Sequence, residues 1–206
     1  MARRIFLLIL ASAFLALSLH ASQPPAKHWP RWRGPDDSGS TAHGSYPVTF
    51  SDTENVLWKF ELPAKGCSTP IVWSDNIIVS SPDKGADSVF NFNWDGAVQW
   101  RATVGDERPG RHKNGSGSNP SPATDGQGIY VYFKSGNLAG LDFDGKVKWK
   151  TNLQKRFGKD TLYWDIGTSP VLTDNHVIVA VMHDREGFLA AFDKQTGNLS
   201  WKADRN

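Results

Sequence analysis

The chain has one cysteine, Cys67, among 206 residues, so no intramolecular disulfide can brace it. It has almost no net charge: 23 Lys and Arg against 21 Asp and Glu leave +2. That balance argues against nucleic acid or an anionic membrane as the main partner. No long apolar run follows residue 19, so no membrane span is expected once a leader is removed. There is no phosphate-cradling loop of the G-x-x-x-x-G-K type. Gly115-Ser116-Gly117 is no nucleophile elbow, because that motif needs G-x-S-x-G on a strand-to-helix turn. His112, His176 and His183 stand singly, without zinc spacing, and no Asp/Asn/Glu cluster has the spacing of a calcium loop. The only thiol lies in Gly66-Cys67-Ser68-Thr69-Pro70, at the start of a strand, and is expected to be buried and structural.

The front of the chain is a targeting segment. Arg3 and Arg4 precede an apolar core from Ile5 to Leu19, and Leu19-His20-Ala21 ends in a small residue suited to cleavage before Ser22. The arginine pair resembles a twin-arginine signal, but the Leu-rich core points to the general secretory route. No cysteine follows the core to carry a bacterial lipid anchor. The expectation is export to the periplasm or beyond, with residues 1–21 removed. Residues 22–47 read as a linker and an irregular arm. Trp29 and Trp32, with Arg31 and Arg33, can form a carbohydrate or peptide patch; the favoured expectation is that the two indoles staple the arm to the fold.

Nine tryptophans stand out, and four keep a rhythm. Trp58, Trp100, Trp149 and Trp201 are 42, 49 and 52 residues apart. Three of them close a similar phrase, clearest in Leu189-Ala190-Ala191-Phe192-Asp193-Lys194-Gln195-Thr196-Gly197-Asn198-Leu199-Ser200-Trp201. Leu141-Asp142-Phe143-Asp144-Gly145-Lys146-Val147-Lys148-Trp149 and Phe92-Asn93-Trp94-Asp95-Gly96-Ala97-Val98-Gln99-Trp100 are looser copies. In each, an apolar run meets a glycine turn and resumes at a tryptophan, which is a hairpin pattern. Gly96, Gly145 and Gly197 are expected at positive φ, Asp142 and Asp193 are expected to satisfy turn amides, and Trp100, Trp149 and Trp201 are each expected to lie mostly buried against a neighbouring blade. A second anchor precedes each hairpin at Pro70, Pro122 and Pro170, where a short strand, a polar turn and a β-branched strand follow. Units of about 40–50 residues with four short strands each are propeller blades.

The A-x-D-x-x-T-G-x-x-x-W phrase resembles the blade motif of the quinoprotein-like (PQQ-like) β-propeller family. That family includes quinoprotein alcohol dehydrogenases and the propeller subunit of the outer-membrane barrel-assembly machinery. The opening Trp29-Pro30-Arg31-Trp32-Arg33-Gly34-Pro35 is similar to secreted bacterial propellers of unassigned function. The implied fold is all-β, made of four-stranded antiparallel blades over residues 48–206. Blades are expected at 66–104, 117–153 and 167–204, preceded by a lone strand at Asn55 to Leu62 that carries Trp58. Three blades and an orphan strand make an incomplete ring, so the sequence reads as the front of a longer protein.

Function is expected in the loops between blades. Gly105 to Asn119 carries Arg108, Arg111, His112 and Lys113; it can grip an anion near the central channel, or lie solvated, as charge runs usually do. Gln154 to Ile166 carries Tyr163-Trp164-Asp165, which can stack on a sugar or quinone ring or pack a blade junction. The resemblance implies for its dehydrogenases a quinone on a tryptophan floor, a Ca²⁺ bound by oxygens, an Asp base and a disulfide between adjacent cysteines. One cysteine cannot make that bridge. The leading expectation is an exported, non-catalytic binding or scaffold propeller with a protein or carbohydrate partner, no catalytic residue and no cofactor. The alternative is the N-terminal part of a PQQ- and Ca²⁺-dependent sugar or alcohol dehydrogenase.

Overall fold

A computed structural model describes residues 28–41, 44, 46–182 and 187–205. The leader, most of the linker and His183 lie outside them. Among the described residues, twelve strands form three antiparallel sheets, each with its four strands in sequence order. The first holds β1 (Ile71–Trp73), β2 (Asn76–Asp83), β3 (Ala86–Phe92) and β4 (Val98–Asp106). The second holds β5 (Ala123–Thr124), β6 (Ile129–Tyr132), β7 (Asn137–Leu141) and β8 (Val147–Asn152). One helical turn, α1 (Leu153–Phe157), follows β8, and sequence reading did not anticipate it. The third sheet holds β9 (Val171–Leu172), β10 (His176–Val181), β11 (Gly187–Asp193) and β12 (Leu199–Arg205). These are the three expected blades.

The blades stack face to face, and burial along their second strands records it. All four residues of β6 are buried. Tyr130 and Tyr132 face Val177, Val179, Phe188 and Phe192 of the third blade, while Ile129 and Val131 face Ile78, Val89 and Val104 of the first. In β10 the pattern alternates: Val177, Val179 and Val181 are buried and Ile178 and Ala180 are half-buried. A strand covered on both faces reads as a continuous apolar run, and one covered on a single face alternates.

Each hairpin between the third and fourth strands is built the same way. Gly96, Gly145 and Gly197 take φ of 79°, 82° and 71°. The residue opening each turn folds its side chain onto the turn amides. Asp142 Oδ1 accepts from Asp144 N at 3.2 Å and Lys146 N at 2.9 Å. Asp193 Oδ1 accepts from Gln195 N at 3.1 Å and Thr196 N at 2.8 Å, and Asn93 fills the same place in the first blade. The closing tryptophan then reaches into the next blade. Trp58, Trp100 and Trp149 donate their indole N–H to the carbonyls of Trp94, Phe143 and Lys194 at 2.8, 2.7 and 2.7 Å.

Three expectations need correction. Residues 55–62 form no strand; they lie across the first blade, where Trp58 and Leu62 pack against Phe90 and Phe92. No described strand lies beside them to complete a ladder, so side-chain packing alone positions them. Trp201 was expected to be mostly buried and is 41 % exposed, against 9 % for Trp149, because no described hairpin lies against it. Cys67 is exposed rather than buried, because its segment runs along a cavity and not into the sheet.

Candidate functional site

The first strands converge: β1 contacts β5, and β5 contacts β9. The residue before each anchor proline ties neighbouring blades there. Thr69 N donates to Ser121 Oγ at 2.9 Å, and Ser121 N donates to Ser169 Oγ at 2.9 Å. Pro70, Pro122 and Pro170 then lead directly into β1, β5 and β9. A proline fixes φ and donates no N–H, so it starts an inner strand without leaving an unpaired donor.

Two inter-blade loops close over this junction, residues 107–122 and 158–170, and buried charges lock them together. Asp165 is 4 % exposed and sits at φ 70°. Its carboxylate accepts from Arg111 N at 2.9 Å and His112 N at 3.1 Å. It also pairs with Lys134, a lysine with no exposed side chain, whose Nζ donates to Pro109 O at 2.9 Å as well. Burial pushes the Asp165 carboxyl up, but the hydrogen bonds from Lys134, Arg111 and His112 overcome it and hold the group below the ordinary carboxylate range. Asp160, 2 % exposed, sits between two guanidiniums, with Arg108 at 3.8 Å and Arg111 at 3.9 Å. Both arginines also donate to its main-chain carbonyl, at 3.3 and 3.0 Å, and Arg108 donates to Gln154 Oε1 at 2.6 Å.

Arg108 and Arg111 of the basic loop thus lie against Asp160, with their side chains still 24 % and 44 % exposed. Lys113 is exposed, and its carbonyl accepts from Lys65 Nζ at 2.8 Å. Sequence reading missed Lys134, Gln154 and Asp160. Only Asp160 left a signal: it lies five residues before Asp165, in a loop opposite two arginines.

What the locked loops present is aromatic. His112, Tyr163 and Trp164 form one cluster, with His112–Trp164 centroids at 4.7 Å and Tyr163–Trp164 at 5.0 Å. Tyr163 is 61 % and Trp164 67 % exposed. They do not pack a blade junction; Asp165 beside them does. The N-terminal arm arrives from the other side. The main chain of Trp29 bridges Val72 of β1 while its indole lies against Gly34 of the arm itself, and Trp32 stays 55 % exposed under the Arg33 guanidinium. Arg31 is tied to Asp37 at 2.8 Å.

Between arm and loops is a cavity of about 320 Å³. Trp32, Trp164 and His112 give it aromatic walls, and Asn114, Asn119, Ser121 and Ser169 give it polar groups. Among the described residues that line it, Asp165 is the only carboxylate, Cys67 is present, and none is Lys or Arg. Among the described residues no group of three or more His, Cys, Asp and Glu is gathered as a metal ion would require. No helix of the described residues is long and apolar enough to cross a membrane.

Residues 43–206 match the family described as outer membrane protein assembly factor BamB. No curated protein sequence matches the chain. Among solved structures, the chain is similar to the quinohemoprotein alcohol dehydrogenase of Comamonas testosteroni, with 22% identity and a TM-score of 0.54 over 66% of this chain and 20% of that one. A europium-containing methanol dehydrogenase matches with 21% identity and a TM-score of 0.54, over 71% of this chain and 26% of its own. The chain therefore spans about a fifth to a quarter of these proteins. At such identities the likeness is one of fold.

Proposed function

Because the chain belongs to the PQQ-like propeller family described by the assembly factor BamB, we propose that it is part of an exported propeller that acts as a binding or scaffold module rather than as a catalyst. One observation carries this reading: two inter-blade loops are fixed by buried ion pairs while they hold exposed aromatic rings outward. Binding surfaces gain most when their anchors are rigid aromatics whose ordering cost was met during folding. A protein or carbohydrate partner would use this surface. The Arg3-Arg4 leader supports export to the periplasm or beyond.

The cavity gives little support to the alternative reading with PQQ and Ca²⁺. Both oxygens of its single carboxylate, Asp165, are already taken by Lys134 and by the amides of Arg111 and His112. A hard dication needs several free oxygen ligands, and an anionic quinone needs cationic partners that do not line this wall.

The test is direct. The full-length protein, equilibrated with PQQ and Ca²⁺ and offered alcohols and sugars with an artificial electron acceptor, is expected to reduce none of it. Turnover above the protein-free control overturns the binding reading. Fractionation of the native cell is expected to find the protein outside the cytoplasm, with its N-terminus near Ser22.

A further inference from the structure

The cavity between the arm and the locked loops has a chemistry that narrows its ligand. From its lining we infer that it binds an uncharged saccharide, stacked by an apolar face on Trp164 and Trp32. The inference rests on the binding reading above and names its ligand class. Three features converge. First, no Lys or Arg is among the described residues that line the cavity, the nearest named cation being Arg33 over the Trp32 ring, and its one carboxylate has both oxygens occupied, so the lining itself favours a neutral ligand. Burying an unpaired charge is costly, and this favours neutral ligands over nucleotides, organic acids and charged peptide termini.

Second, the walls are indoles left largely in water, Trp32 at 55 % and Trp164 at 67 % exposure, on segments that are held elsewhere. Trp32 is fixed through the Trp29–Val72 bridge and Trp164 through its neighbour Asp165. A solvated flat ring gains by covering a flat, weakly hydrated surface, and the C–H face of a pyranose is one. Third, a sugar brings a ring of hydroxyls that lose water on entry and need partners. Asn114, Asn119, Ser121, Ser169 and His112 supply donors and acceptors of both kinds around the same space. Ser121 Oγ and Ser169 Oγ already accept from Thr69 N and Ser121 N, and their hydroxyl hydrogens remain available to donate to a ligand oxygen. About 320 Å³ is at the lower end of small-molecule pockets, which suits the end of an oligosaccharide chain rather than a long stretch of it.

The probes are an array of neutral oligosaccharides, followed by titration of the strongest member into the full-length protein with tryptophan fluorescence as readout. Saturable binding is expected. Trp164→Ala and Trp32→Ala should each weaken it by about tenfold or more, with unchanged melting temperatures because both side chains are exposed. Cys67 in the lining supplies an independent readout: the bound sugar should slow its reaction with a maleimide. Three outcomes overturn the inference: no array member binding, binding undiminished in both variants, or binding that leaves Cys67 labelling unchanged. An array without hits together with no dye reduction defeats the saccharide assignment and leaves the binding module standing. Dye reduction with PQQ defeats the module itself.

Discussion

The indole of Trp100 lies so close to Gly145 of the next blade that a Cβ on the glycine would stand 2.6 Å from Trp100 Cδ2. Trp58 and Gly96 repeat the relationship one blade earlier, Trp149 and Gly197 one blade later. The glycine thus has two duties: it turns the hairpin at positive φ, and it leaves a gap for the preceding blade's tryptophan. The phrase that marks one blade in sequence is, in space, half of a contact between two blades.

Gly145→Val meets both constraints at once. The strain of a side chain at φ 82° costs about 1 kcal/mol or more, and overpacking against Trp100 adds about 1–3 kcal/mol. Its thermal midpoint is expected to fall by several degrees in the full-length protein, at about 2–4 °C per kcal/mol for a domain of this size. Lys146→Ala, at an exposed neighbour, should scarcely move it. Equal midpoints would show that the glycine tolerates a side chain and the docking has no energetic weight.

The hairpins and their phasing were legible because they are local: a glycine turn and a tryptophan four residues on lie in one short window. What lay hidden is what depends on partners far along the chain. Arg108 and Arg111 look like a solvated run until Asp160, about fifty residues away, is placed between them. Lys134 sits in an ordinary turn, Phe133-Lys134-Ser135-Gly136, and nothing in that phrase announces a lysine with no exposed side chain. Tyr163 and Trp164 were legible as candidates, but their exposure depends on Asp165 turning inward at positive φ. Cys67 was misjudged because a strand start reads the same whether it faces a core or a cavity.

The Lys134–Asp165 pair should be unforgiving to single changes. Asp165→Ala leaves a lysine buried without its counter-charge and frees the amides of Arg111 and His112. Breaking one side of a buried pair costs about 3–5 kcal/mol. The loop around Arg111 and Lys113 is expected to become a trypsin site under native conditions. The double variant Lys134→Met/Asp165→Asn should regain part of the lost stability, since no charge is stranded. A double variant less stable than Asp165→Ala would show that the pair does not act as a unit.

Asp87 predicts an unusual pH dependence. It is fully buried between the first two blades, and no described partner reaches its Oδ1. Burial raises its pKa from 3.8 to about 7, against hydrogen bonds to Ser135 and Asn137 and with help from the nearby charges of Glu107 and Asp106. Between about pH 4 and 7 the folded protein keeps a proton there that the unfolded chain has lost. Stability from this group therefore falls as pH rises through that window and levels off above it. The full effect is on the order of 4 kcal/mol. Asp87→Asn should flatten the decline and melt higher than the parent at pH 8. Parallel pH–stability curves for the two proteins would place the titration elsewhere.

The last prediction concerns the two outer faces of the blade stack. Beyond the third blade, Val171 is 58 % exposed, Leu189 45 % and Trp201 41 %, beside half-buried Ile178 and Ala180. Before the first blade, whose β2 and β3 are buried, the segment that precedes it leaves Val48 97 %, Phe50 79 % and Leu57 90 % exposed. Terminal units of stable repeat arrays carry polar outer surfaces, and neither the third blade's face nor the segment covering the first is polar. An open apolar sheet face and an uncapped outer strand both favour association. Residues 22–206, purified alone, are therefore expected to form oligomers that grow with concentration. Leu189→Lys combined with Trp201→Lys should shift the population toward monomer by placing charge on the exposed face. Light scattering that gives a sharp, concentration-independent monomer mass for the parent would defeat the prediction and show that these faces are stable in water as they stand.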